Sequence, residues 1–321
     1  MRRYASACVL LAAAFAFVQV ALDPYDTGRL ALFGDYGVPP FGPRLSSASL
    51  ARQPETEAAT IGNSTIQHLN PTRLTALSGL RFVSLALPAT GPIEQLAVAH
   101  WLVRHHDGRS AKPLGAMVFG IDTRWCRGDG TIELSNPFPF WLYSDNNLIY
   151  VANLVSLGTF GAVGKKLKLM LGWSEPMRGQ GYHEYDSEWP WNTAADLRAG
   201  TQGYELFGHD FAGVRHLKEF LPGVPAETLV ILLFPPRYYS SLPIPGASFG
   251  TDYAACKAAY GAVAASRPRT VVLDLLKDDP LVHQEEYFLD RAHYLSPISD
   301  KVEEAIAETI KADLRVDSGR Q

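Results

Sequence analysis

From residue 57 onward the chain repeats one local alternation: a short, continuous apolar run, a turn, then a segment whose apolar residues recur with helical spacing. The runs are Ala58 to Gly62, Phe82 to Leu87, Ala116 to Ile121, Thr228 to Phe234 and Thr270 to Leu275. A strand covered on both faces needs apolar residues at every position, and parallel strands must be joined by crossovers, usually helical. Helical patterns fill the gaps: Ile66 to Leu80, interrupted at Asn70-Pro71, then Ile93 to His105, Tyr253 to Ala265 and Ser299 to Leu314. The pattern predicts an α/β fold, a three-layer, doubly wound and mostly parallel sheet of five strands.

Partner classes are limited by composition. With 47% hydrophobic and 19% charged residues, the chain is globular rather than disordered. A net charge of -4 and no basic stripe exclude the electrostatics of a nucleic-acid binder. Arg2 and Arg3 precede an apolar run from Ala5 to Leu22, which reads as an export signal. It is either removed after Ala14-Phe15-Ala16, giving a secreted protein, or kept as a membrane anchor; the run continues past that site, which favours the anchor. Residues 23–56 are rich in Pro, Gly, Arg and Ser and read as a spacer. The domain is expected over 57–314, with 315–321 as a tail.

In an open parallel sheet, sites form outside the carboxyl ends of the strands. Ser64 follows the first strand, and Asp290 and His293 lie between the fifth strand and the last helix, so all three belong at that edge. A serine hydroxyl becomes a nucleophile when an imidazole takes its proton and a carboxylate fixes the imidazole tautomer. The competing reading makes Ser64 a helix cap and the other two ordinary loop residues.

Ile61-Gly62-Asn63-Ser64, a Gly-containing loop after the second strand, Phe119-Gly120-Ile121-Asp122, and Phe288-Leu289-Asp290-Arg291-Ala292-His293-Tyr294 occur in that order. Over about residues 57 to 314 this resembles the SGNH (GDSL-like) hydrolase superfamily, and within it the membrane-anchored proteins of polysaccharide O-acetylation, such as the alginate type. The resemblance implies Ser64 as nucleophile, His293 as base and then acid, and Asp290 as the orienting carboxylate. The Ser64 N–H would be one oxyanion donor and that of Gly91 a second, with Ala89 as the alternative in the same loop. Where the family often places a donating Asn, this chain has Asp122, which can instead hold a loop, be protonated or bind substrate hydroxyls; Asn146 or Asn147 are substitutes for the missing donor. The implied activity is an esterase or O-acyltransferase on an extracytoplasmic polysaccharide, without cofactor, supplied by a membrane acyl-donor protein. The alternative is a glycan-binding scaffold with the fold but without turnover.

Residues 123–227 form an insertion too long for an ordinary loop. It holds Trp125, Trp141, Trp173, Trp189 and Trp191, five of the chain's 6 tryptophans. Aromatic faces among Asn, Asp and Glu suit a sugar, although the same residues can pack the insertion onto the sheet. Leu154 to Leu171, with Lys165, Lys166 and Lys168, reads either as an amphipathic helix on the membrane surface or, the favoured reading, as a helix on the domain with its lysines in solvent. Arg237, after the fourth strand, either contacts an anionic sugar or belongs to a rigid turn. The groupings His105-His106-Asp107, His183 with Asp186, and His209-Asp210 lack the spacing of a hydrolytic metal site, so no metal is expected. Cys126 and Cys256 can form one disulfide in an oxidising compartment or remain two buried thiols.

Overall fold

The computed structural model describes residues 2–29, 32–33, 36–106, 112–130, 132, 134, 137–177, 181–199 and 208–318. In chain order the elements are α1 (Arg2–Leu22), α2 (Pro43–Leu50), β1 (Ala58–Gly62), α3 (Pro71–Ser78), β2 (Phe82–Ala86), α4 (Pro92–His106) and β3 (Ala116–Gly120). Between β3 and the next strand lie α5 (Phe140–Tyr143), α6 (Asn147–Leu154), α7 (Phe160–Met170), α8 (Ala194–Arg198) and α9 (Ala212–Phe220). The chain finishes with β4 (Leu229–Phe234), α10 (Ser248–Ser266), β5 (Thr270–Asp274) and α11 (Ser296–Ser318).

All strand pairs are parallel, in the order β2-β1-β3-β4-β5, the order of flavodoxin-like folds. Alternate side chains divide the core. Ala59, Ile61, Met117, Phe119, Val230 and Leu232 face α2, α4, α9 and α10, whereas Ala58, Ala116, Val118, Ile231 and Leu233 face α3 and α11. This two-sided burial is why the strands read as continuous apolar runs. Asn70-Pro71 divides the expected Ile66 to Leu80 helix: Asn70 accepts from the N–H groups of Thr72 and Arg73, and Pro71 opens α3 where no N–H is needed. The tail expected from 315 continues α11 to Ser318, and residues 319–321 lie outside the described residues.

Two expectations about the polar surroundings of the domain need correcting. The stretch read as a spacer is packed rather than loose: Tyr25, Ala48, Leu50 and Ala51 are core residues, and the Trp101 indole N–H donates to the Ala48 carbonyl at 2.8 Å. Serines lowered the apparent hydrophobicity of α2, yet Ser46, Ser47 and Ser49 are buried with the helix. Nor are all the α7 lysines in solvent. Lys165 and Lys168 are exposed, but Lys166 is buried, with Nζ 2.6 Å from the Gly37 carbonyl and 3.6 Å from Asp26. A buried ammonium needs such acceptors.

At its C-terminal end α1 packs on the domain, where Gln19, Ala21 and Leu22 are buried. Val9, Leu10, Leu11 and Phe17 are exposed along it. Among the described residues no helix is long and apolar enough to cross a membrane. The side chains of Arg2, Arg3 and Ala5, part of the expected export signal, lie outside the described residues.

Cys126 and Cys256 are joined in a disulfide, with Cα atoms 5.6 Å apart, which ties the start of the β3–β4 segment to α10.

Candidate active site

The strand order reverses between β1 and β3, and there the chain builds a polar cluster. Gly62 ends β1 and Gly120 ends β3, and the Ile66 side chain covers both; a Cβ on Gly62 would sit 2.6 Å from Ile66. The missing side chains let the turn after β1 fold tightly back over the sheet as a single 3-10 turn, Ser64–Ile66. Asn63 caps that turn, its Oδ1 accepting from Thr65 N–H at 3.0 Å and from the Thr65 hydroxyl at 2.8 Å. Its Nδ2 donates to Asp122 across the switch point.

On the other side of the cluster, Leu289 N–H donates to the His293 carbonyl at 2.9 Å, closing a tight loop whose flanks, Phe288 and Tyr294, are buried on the α3 and α11 side. Within the loop Asp290 Oδ1 accepts from the Ala292 and His293 N–H groups at 2.7 and 2.8 Å. Its other oxygen is 2.8 Å from His293 Nδ1, and His293 Nε2 is 2.7 Å from the Ser64 hydroxyl. A carboxylate only accepts, so the proton sits on Nδ1 and leaves Nε2 free to accept from Ser64. Burial pushes the Asp290 carboxyl upward, but the bond and charge of His293 and the two backbone donors outweigh it and hold the group below its ordinary value. Ser64, Asp290 and His293 are thus brought into one hydrogen-bonded chain across 229 residues of sequence.

The surrounding residues are not all where the sequence suggested. Gly91 N–H is already bonded to Glu94 Oε2 at 3.1 Å, as a cap for α4, and so is not a free donor. Its neighbour Ala89 holds a φ of +58°, a left-handed conformation rare without glycine, and its carbonyl accepts from Arg124 at 3.0 Å. Asp122 is a loop holder, accepting from Asn63, from Arg124 N–H at 3.0 Å and from Trp125 N–H at 3.4 Å. Crowding by protein raises its carboxyl above the ordinary value, against the bond from Asn63 and the charges of Arg124 and Arg237, although the residue keeps some exposed surface. Arg237 lines a small notch with Asp122, Thr65 and Ala292, immediately beside the triad. Asn146 caps α6 through bonds to Leu148 and Ile149 N–H, and Asn147 accepts from Arg29. Neither has a bond to the triad among those described. Trp141 packs on Tyr25 and Tyr150 and lines a cleft of about 700 Å³ with Phe138, Pro88 and Ala89.

Each histidine grouping has separate partners. His105 and His106 bond backbone carbonyls, while Asp107 lies outside the described residues. His183 pairs with Glu188 rather than Asp186, and His209 with Asp252 while Asp210 takes Arg215. Among the described residues no group of three or more His, Cys, Asp or Glu side chains is placed to hold a metal ion.

Sequence reasoning missed His68 and the contacts that Tyr185 and Asp186 make with it. Buried His68 accepts the Tyr185 N–H on Nδ1 at 3.0 Å, so Nε2 carries the proton toward Asp186 and Ser296, both at 3.4 Å. The Tyr185 hydroxyl lies 3.3 Å from the Ser64 carbonyl, and its ring stands edge-on to His293 at 6.0 Å. Nothing in the local spacing marks these contacts, which join positions more than a hundred residues apart.

A scan against protein-family models finds no match to the chain, and a search of curated proteins finds none either.

Proposed function

We propose that the protein is a serine-dependent acyl-transfer enzyme of the SGNH type, an esterase or O-acyltransferase acting on an extracytoplasmic glycan. One observation carries the reading: the Ser64, His293 and Asp290 chain, with contacts of 2.7 and 2.8 Å. In the forward step Ser64 Oγ gives its proton to His293 Nε2 and forms a bond to the acyl carbonyl carbon. The bond from that carbon to the leaving oxygen breaks, and the leaving oxygen takes the proton from Nε2. Water or a sugar hydroxyl then reverses the sequence on the acyl-enzyme, giving its own proton to Nε2. The Ser64 N–H, at the open start of its 3-10 turn, is suited to the developing oxyanion.

The disulfide is consistent with an oxidising compartment. Export through residues 1–22, attachment to the membrane there and supply of acyl groups by a membrane protein belong to the same proposal. A second reading, a glycan-binding scaffold, is favoured by Asp122, which accepts hydrogen bonds where a side-chain donor would assist the oxyanion.

A fluorophosphonate probe separates the two. The wild type is expected to label on Ser64, Ser64→Ala not at all, and His293→Ala at least about a hundredfold more slowly. Equal labelling of all three proteins, or none of the wild type, overturns the enzymatic reading.

A further inference from the structure

The strap from Gly181 to Asn192 crosses the candidate site, and its tryptophans have no use in the triad. Gly181, with φ +79°, starts the strap against the edge strand; a Cβ there would meet the Ser84 carbonyl at 1.9 Å. Past Gly181 the strap is pinned by His68, by the bond from Ser296 N–H to Asp186 at 2.8 Å, and by the Trp191 and Asn192 N–H groups on the Leu289 carbonyl at 2.7 and 2.9 Å. Trp191 is thereby set edge-on to His293 with ring centres 4.7 Å apart, and its indole N–H is held by Glu188 at 2.9 Å. Two residues earlier, Trp189 is 88% exposed, and Trp191 itself is 49% exposed.

Large aromatic faces left in water beside a fixed polar group mark a binding surface more often than idle packing. Its charge is one-sided. Glu184, Asp186 and Glu188 alternate along the strap, and the His183 bond holds Glu188 below its ordinary value. Asp186 and Glu188 have inner partners, Ser296 on the one and His183 and Trp191 on the other, but both carboxylates stay partly exposed, and a polyuronate would meet them as like charges. Sugar hydroxyls and amino groups suit them, while the C–H faces of the ring suit the indoles.

We infer that the strap is the acceptor platform, on which Trp189 and Trp191 hold an uncharged or amino sugar chain against His293. This rests on the proposed acyl-transfer reading for its purpose, but its binding test does not depend on turnover.

The test is calorimetric titration of the full chain with hexamers of three backbones: β-1,4-glucose, β-1,4-glucosamine and mannuronate. The first two are expected to bind and the mannuronate hexamer to bind most weakly. Trp189→Ala should weaken binding about tenfold and Trp189→Tyr should restore most of it. Trp173→Ala, an exposed tryptophan following α7, should bind as the wild type. Absence of binding by all three hexamers, tightest binding of mannuronate, or unchanged affinity in Trp189→Ala overturns the inference. Fluorophosphonate labelling of the same preparations reads the serine chemistry separately: a labelled protein that binds no hexamer loses the platform and keeps the nucleophile, and the reverse result does the opposite.

Discussion

The segment between β3 and β4 is built differently at its start and along the strap. At its start Trp125 is fully buried, its indole N–H on Gln95 at 2.8 Å and its ring edge-on to Phe119 and Tyr260, and the next residue is bridged to α10. Further along, before the buried α9, the strap has Trp189 and Trp191 in water and is fastened mainly by hydrogen bonds and ring contacts around His68. Burying a whole indole contributes more than any one hydrogen bond exchanged with water. The start of the segment therefore serves the fold, and the strap can adjust at the site.

The largest expected contrast is between Trp125→Ala and Trp189→Ala. The former should cost about 3–5 kcal/mol in urea denaturation, the cavity left by a buried indole. The latter should stay within about 0.5 kcal/mol. Equal losses would erase the distinction. Reduction of Cys126–Cys256 should next remove about 2–4 kcal/mol and lower the melting temperature, because the bridge closes a sequence separation of 130. A melting curve unchanged by reductant would show that the buried end holds without its crosslink.

Gly181→Ala sharpens the comparison from the strap side. With its Cβ forced onto Ser84 and its φ unfavourable, the variant should lose about 1–3 kcal/mol and shift the tryptophan fluorescence. Ser296→Ala keeps the Ser296 N–H bond to Asp186 but removes the hydroxyl that also bonds Asp186 and His68, and should cost about 1 kcal/mol, read best as faster hydrogen exchange at the Tyr185 amide. A slowed or unchanged amide would mean that the Ser296 hydroxyl does not fasten the strap.

The smallest effects are opposite pH slopes from the two carboxylates of the site. Asp290 is held below its unfolded value, so its stabilisation is present above about pH 4 and lost as the pH falls through the folded value. Asp122 is raised, so stability falls as the pH rises from about 4 through its folded value. Asp290→Asn should flatten the acid limb and Asp122→Asn the slope above it, measured by denaturant unfolding across pH. The same sign for both would contradict their assigned surroundings.

Much of this was legible beforehand, for a local reason. Each strand declares itself through a few consecutive apolar residues, so their positions were found within a residue or so, from Ala58 to Asp274. Asp290 and His293 are three apart in one turn, a spacing that brings a carboxylate to an imidazole without help from the rest of the chain. Gly91 misled because a glycine in the right loop says nothing about where its N–H points; Glu94, three residues on, takes it. The spacer misled because serines and prolines look solvated until a packed helix buries them.

By itself, then, the sequence determined the α/β class, the strands and the Asp290 to His293 turn, since periodicity and short spacings act within a few residues. Only the tertiary structure decided that Asn63 reaches Asp122, that Lys166 is buried beside Gly37, and that Trp191 stands against His293. Those pairings depend on strand order and crossovers, which bring distant positions together by burial of the whole core and leave no mark on the residues between them.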